Sequence, residues 1–196
     1  MAPPYCRGSS GIVRGTRPYR PILATAVNVL STERLILRRL KTEDAEFIFG
    51  LLNDPDFLRF IGDKGVRSLD DARGYILSGP VASYAQHGFG LWLAELKGSN
   101  TPVGICGLLK REVLDDVDIG FAFLPPYRSS GYAFESASAV VEYARRTLGL
   151  RRIVAIVDPD NTGSLRVLEK IGMTFDRMIR LSDDSAPIRL LVSSPD

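Results

Sequence analysis

Between Leu124 and Ala133 the chain reads LPPYRSSGYA, and the residue types at its end suit one kind of chemistry. Arg128, Ser129 and Ser130 bring donors, Gly131 lets a ligand approach the backbone without meeting a Cβ, and Ala133 keeps the following segment slim. That segment has helical periodicity, so the turn lies at a helix start. Amides there have no partner within the helix, and the macrodipole favours negative charge. A phosphate is the natural ligand. Neither common nucleotide fingerprint fits, because there is no Lys-Ser or Lys-Thr pair and no G-x-G-x-x-G. An ordinary strand-to-helix turn, also rich in Gly and Ser, is the alternative. After the next strand, DPDNTGSLRVLEKIGMTF places Asn161 at a second helix start and Gly172 at its end.

Other residues with reactive side chains are few. Asp115, Asp116 and Asp118 form an acidic group that can serve as a polar turn and strand edge or supply a base. His87 is the only histidine, and in a loop before Gly88 it is either a base or plain polar surface. Cys6 and Cys106 are the only cysteines and lack metal-ligand spacing, so neither a metal site nor a disulfide framework is expected. Cys106 lies in an apolar run and reads as a small buried hydrophobe. Trp92, Phe89 and Phe121 read as core. All four basic residues before Glu33 are arginines without an acidic partner, which leaves 21 of the 25 basic residues against all 23 acidic ones. Such a body lacks the broad basic footprint of a nucleic-acid binder. No apolar run approaches membrane-spanning length, so the chain reads as soluble and cytoplasmic.

The elements that position these residues follow from periodicity. Residues 1–30 carry four prolines with repeated Gly and Ser, and read as a flexible tail ahead of a single domain over 31–196. The tail is free of acids, as a transit peptide is, but its apolar residues share no helical face. ERLILRRL alternates as a first strand, and Thr42, Glu43 and Asp44 open a helix that ends before Pro55. Ser68 with Asp71 resembles a capping box, and its helix must break or restart at Pro80. FGLWLAEL, PVGICGLLKR and VDIGFAFL then form an antiparallel meander. Ala133, Ala137, Val140 and Ala144 mark a long helix closed by Gly149. RIVAIV is a buried strand, Asn161 to Gly172 a short helix, and 173–193 a final hairpin.

The paired segments RSSGYA and NTGSLRVLEKIG resemble the GNAT superfamily of acetyl-CoA-dependent N-acetyltransferases, in its Q/R-x-x-G-x-G/A loop and the N-x-x-S-x-x-V-L-E-K-x-G helix that follows. TERLILRRLKTEDA and HGFGLWLAEL look like the branch of ribosomal-protein N-terminal alanine acetyltransferases, and the resemblance covers residues 32 to about 180. It implies an α+β (mixed α/β) fold with about four helices and a mostly antiparallel sheet of about seven strands, splayed between the fourth and fifth. It further implies acetyl-CoA as co-substrate without a metal, with the pantetheine arm bonded by backbone groups of Phe121, Phe123 and Leu124. The pyrophosphate would lie on Arg128, Ser129, Ser130, Gly131, Tyr132 and Ala133, with Asn161 on the arm's other side. The acceptor would be an amine of a protein N-terminus, peptide or small molecule, attacking directly in a ternary complex. A homodimer is compatible with the fold.

Asp118 falls where family members often carry a Glu and is the first choice as base, directly or through water. A backbone amide near Phe123 is placed to bond the developing oxyanion. Many members have a Tyr seven residues after the helix-start Asn to protonate the thiolate; here it is Leu168, and Ser164 is the remaining hydroxyl donor. Its alternative role is to face its own helix. A sensor that binds acetyl-CoA without turnover, and a nucleotide-binding module, are the competing classes. Loop spacing opposes the latter. The segment from about Asp54 to Gly88 and the last hairpin should wall the acceptor side, and the mixed charge of the former selects neither a polycation nor an anion.

Overall fold

A computed structural model of the chain describes residues 28–193. An eight-stranded sheet forms the frame: β1 Asn28–Ser31, β2 Leu35–Arg39, β3 Leu91–Leu96, β4 Pro102–Leu109, β5 Val117–Phe123, β6 Ile153–Val157, β7 Met173–Ile179 and β8 Ile188–Ser193. Their order is β1-β2-β3-β4-β5-β6-β8-β7, and every neighbouring pair is antiparallel except β5 and β6. The sheet thus has one strand more than expected. Asn28–Ser31, partly assigned to the tail, pairs with β2, and Val29 and Leu30 pack on the core. Residues 1–27, where the rest of the expected tail and Cys6 fall, lie outside the described part.

Period-two alternation splits β3 and β4 between two apolar layers. Trp92 and Cys106 face one layer, built with α5 (Tyr132–Arg146) through Ala137, Val140 and Ala144. Leu93 and Ile105 face the other, with Ile48, Leu51 and Leu52 of α1 (Ala45–Leu52) and Ala72 and Ile76 of α3 (Leu69–Ile76).

The helix starts follow capping chemistry, with one correction. Asp44, not the Thr42 hydroxyl, secures the turn before α1. Its carboxylate accepts the Lys41 amide at 2.9 Å and takes two 2.8 Å bonds from buried Arg38, which also donates to Glu95. Pro55 does end α1 but begins α2 (Pro55–Phe60), with Asp54 accepting from the Asp56 and Phe57 amides. Ser68 caps α3 through the Asp71 amide, as expected. At Pro80 the helix neither breaks nor restarts. It widens into a π turn, Leu77–Val81, which accommodates the missing amide and passes into α4 (Ala82–His87). The long helix α5 ends at Arg146 with Thr147 as its C-cap, and Gly149 lies two residues beyond the cap in the left-handed region. The last helix is α6 (Thr162–Lys170).

Candidate functional site

The parallel contact between β5 and β6 lasts for two residue pairs, Val117 with Ile153 and Asp118 with Val154. Beyond Asp118 the strands diverge into a cleft of about 580 Å³, lined by β5, β6, the π turn and the first turns of α6. Leu124 donates its amide to Val103 at 3.0 Å. By the alternation of an antiparallel ladder, Ala122 and Gly120 also spend their backbone groups on β4, whereas Phe121 and Phe123 aim theirs into the fork. Leu124 is therefore not an open donor. The Phe123 carbonyl is also committed, accepting Arg128 Nε at 2.8 Å.

At the far end of β5 the chain passes through a 3₁₀ turn, Pro125–Tyr127, into the RSSGYA loop. Ser129 has φ 58° and Gly131 φ 85°, so the backbone alternates handedness and gathers its amides on one concave side. The amides of Gly131, Tyr132, Ala133 and Phe134 have no acceptor among the described residues; the first helical bond belongs to Glu135, which reaches Gly131. Ser129, Ser130 and Gly131 are exposed. A Cβ on Gly131 would meet Arg34 Nη2 at 3.1 Å. This cradle fits a diphosphate: open amides, no side chain in the way, and a guanidinium at its edge.

That guanidinium is not the one the motif suggested. Arg128 is turned toward α2, where it forms ion pairs with Asp54 and Asp56 as well as its bond to Phe123. Arg34, from the β1–β2 turn, lies instead over the Tyr132 ring at 4.5 Å, donates to the Ser130 carbonyl at 3.0 Å and binds Glu135 at 2.7 Å. Burial pushes the Glu135 carboxyl up, but hydrogen bonds from Thr32 and from the backbone and side chain of Arg34 together hold it below its usual range.

Asp118 stands at the vertex of the fork. It is buried, its Oδ2 accepts Arg111 Nε at 3.0 Å, and its Oδ1 has no partner among the described residues. Burial raises its pKa; the charge of Arg111 and its hydrogen bond oppose the rise without cancelling it. Across the cleft, Asn161 uses Oδ1 to cap α6 through the Ser164 amide at 3.0 Å, which leaves its Nδ2 as the available group. Ser164 lines the cleft, and its hydroxyl makes no bond among the described residues.

Residues 34–174 match the family model described as the acetyltransferase (GNAT) domain. The chain belongs to the GNAT acetyltransferase family. Among its relatives is a Bacillus subtilis protein called uncharacterized protein YkkB, 32% identical over 154 residues that cover 77% of this chain and 88% of the relative. Another, the uncharacterized N-acetyltransferase YoaA of the same species, is also 32% identical, covering 78% and 86% respectively. A solved acetyltransferase from Agrobacterium tumefaciens shares the fold with a TM-score of 0.74 at 26% identity, covering 89% of this chain and 99% of that one. The protein is an acetyl-CoA-dependent acyltransferase.

In this GNAT protein Leu168 is buried on the cleft wall, so no hydroxyl replaces the family's tyrosine at that position. Three cleft residues went unnoticed in the sequence: Lys64, Tyr75 and Arg111. Burial raises the Tyr75 phenol, and the nearby Arg111 partly counters it. Only Arg111 carried a signal, as the basic end of an apolar strand seven positions before Asp118. His87 stacks on Phe89 at 5.7 Å and lies outside the cleft. Trp92 is core, edge-on to Tyr143 at 5.5 Å, and Phe89 is buried; Phe121 is half-buried and does line the cleft. Cys106 is wholly enclosed, which pushes its thiol up to about 12. Among the described residues no group of His, Cys, Asp and Glu could hold a metal ion, and no helix is long and apolar enough to cross a membrane.

Proposed function

We propose that the protein moves the acetyl group of acetyl-CoA to a primary amine by direct attack in a ternary complex. The observation that carries this reading is the orphaned Asp118 Oδ1 at the vertex of a fork whose β5 edge is open. Acetyl-CoA supplies an activated acyl group and a thiolate leaving group. Phe121 and the Phe123 amide hold the pantetheine arm as an added strand, and the Phe123 amide also faces the thioester oxygen. The amides from Gly131 to Phe134 hold the pyrophosphate, with Arg34 supplying the cation that Arg128 does not. Asn161 Nδ2 binds the arm from the α6 side. Asp118 takes the proton of the amine, directly or through one water, and its raised pKa suits a base. Ser164 is placed to hydrogen-bond the sulfur. Holding amine and thioester together supplies much of the remaining rate.

The first test is calorimetric titration with acetyl-CoA of the wild type and of Gly131→Asp. Micromolar binding by the first, lost in a folded variant, supports the site, because the new carboxylate fills and repels the cradle. No binding by a folded wild type overturns it. A second reading, binding without turnover, is favoured by Leu168 in the tyrosine's place. Tight binding with no thiol release across a broad amine panel would select it.

A further inference from the structure

The acceptor side of the cleft holds more unsatisfied polar groups than the acetyl donor can use. Arg111 spends Nε on Asp118, and its two terminal nitrogens have no partner among the described residues. Tyr75, half-buried on α3, has no partner for its hydroxyl among the described residues. Lys64 makes one long bond, 3.4 Å to the Ile61 carbonyl. It keeps contact with solvent, yet crowding by the cleft walls, and then the charge of Arg111, lower the pKa of its ammonium. All three line the same cleft as Asp118, whose Oδ1 is buried and without a partner among the described residues.

The carboxylates that made this wall look neutral in sequence are used elsewhere. Asp54 and Asp56 pair with Arg128, Asp70 with Arg73, and Asp63 with Arg67. The Asp71 carboxylate accepts the Arg67 amide, and the Asp71 amide donates to the capping Ser68 hydroxyl. Lys110, the other cation of the cleft, is held by the Leu114 and Asp115 carbonyls. Asp158, at the opposite end, accepts the Asp160 amide. What remains is two cations and a phenol around one space, with Asp118 already paired to Arg111, and Asp63, the carboxylate whose charge reaches Lys64, already paired to Arg67. Two like charges brought together in a half-enclosed space are unfavourable unless an anion joins them.

Resting on the acetyltransferase reading above, we propose that the acceptor is an amine carrying an anionic group, carboxylate or phosphate, within a few bonds of its nitrogen. Lys64, Arg111 and Tyr75 bind the anion, and Asp118 Oδ1 accepts from the amine. Transfer then forms the N–C bond of the amide and breaks the C–S bond; the amine proton goes to Asp118, and the thiolate leaves to be protonated. The anion contacts fix which amine reaches Asp118, and a polyamine is rejected by the same charges.

The test is calorimetry on the full chain saturated with coenzyme A, a complex that cannot transfer an acetyl group. Two matched pairs are titrated: O-phosphoethanolamine against ethanolamine, and alanine against alaninamide. The anionic member of at least one pair should bind about tenfold tighter, the size of one charge-assisted contact, and the pair with the larger gap identifies phosphate or carboxylate. Lys64→Gln should bring that gap to within about threefold while leaving coenzyme A affinity unchanged. Equal binding within both pairs, preference for the neutral members, no binding by any of the four, or an unaltered gap in Lys64→Gln would each overturn the inference. Failure of coenzyme A itself to bind is a different result, and overturns the reading on which it rests.

Discussion

Asp118 has one oxygen held by Arg111 and one with no partner among the described residues, so in the proposed mechanism its ionisation governs activity as well as stability. As the base it must be charged, and Asp118→Asn should lower kcat by about 10²- to 10⁴-fold and remove the acid limb of the kcat/KM profile. Stability should move the other way. Burial raises the folded-state pKa, so what the neutral carboxyl contributes is fully present below the unfolded value and is lost as pH rises through the folded one. At neutral pH the variant, which cannot ionise, is expected to be more stable than wild type, and the gap should close as pH falls toward the unfolded carboxyl range. Urea denaturation at both ends of that interval measures it. A variant both inactive and less stable at neutral pH would assign Asp118 a purely structural ion pair.

At the scale of elements, the RSSGYA loop, proposed above to hold the pyrophosphate, is flanked by two arginines with different contacts. Arg34→Gln removes the cation beside Gly131 and should weaken acetyl-CoA by roughly tenfold or more, with a loss that shrinks at high salt. Arg128→Gln should leave affinity within about threefold and instead cost about 1–3 kcal/mol of stability, because Asp54 would stay buried without its partner. Equal effects of both variants on affinity would refute this division. The loop's backbone was legible in sequence, since Gly131 ahead of an alanine-spaced helix is a local signal. The direction of Arg128 was not. It depends on Asp54, 74 positions away, and on α2, which exists because Pro55 starts a helix as readily as it stops one. Pro80 misled for a related reason: a widened turn satisfies the backbone around a proline without interrupting the helix.

Across the whole molecule, the sheet is two antiparallel blocks, β1–β5 and β6–β8, joined by two residue pairs. Amides of Phe121 and Phe123 should exchange with deuterium faster than those of Gly120 and Ala122 in the free protein, and slow on acetyl-CoA binding as the arm fills the fork. No change at Phe121 and Phe123 would place the arm elsewhere. The first block also relies on Arg38, buried between Asp44 and Glu95. Arg38→Ala strands two carboxylates and should cost about 3–5 kcal/mol in chemical denaturation at neutral pH. The β3–β5 meander and the final hairpin followed from alternation and turns, because each of these strands carries its own apolar face; the placement of β8 between β6 and β7 did not. The short strand β1 did not, since four residues beside a proline-rich stretch carry too little pattern, and pairing with β2 supplies the rest. The acceptor wall was legible only as composition: each Asp had to find its arginine before the unpaired cations stood out.

Trp92, the sole tryptophan, packs edge-on to Tyr143 of α5, the helix that follows the RSSGYA loop. It lies beneath α5 and away from the acceptor cleft, so its emission is an intrinsic optical gauge of how α5 rides on the sheet. A fluorescence change on adding acetyl-CoA, with none on adding an amine, would give separate readouts for the two substrates from one unlabelled protein.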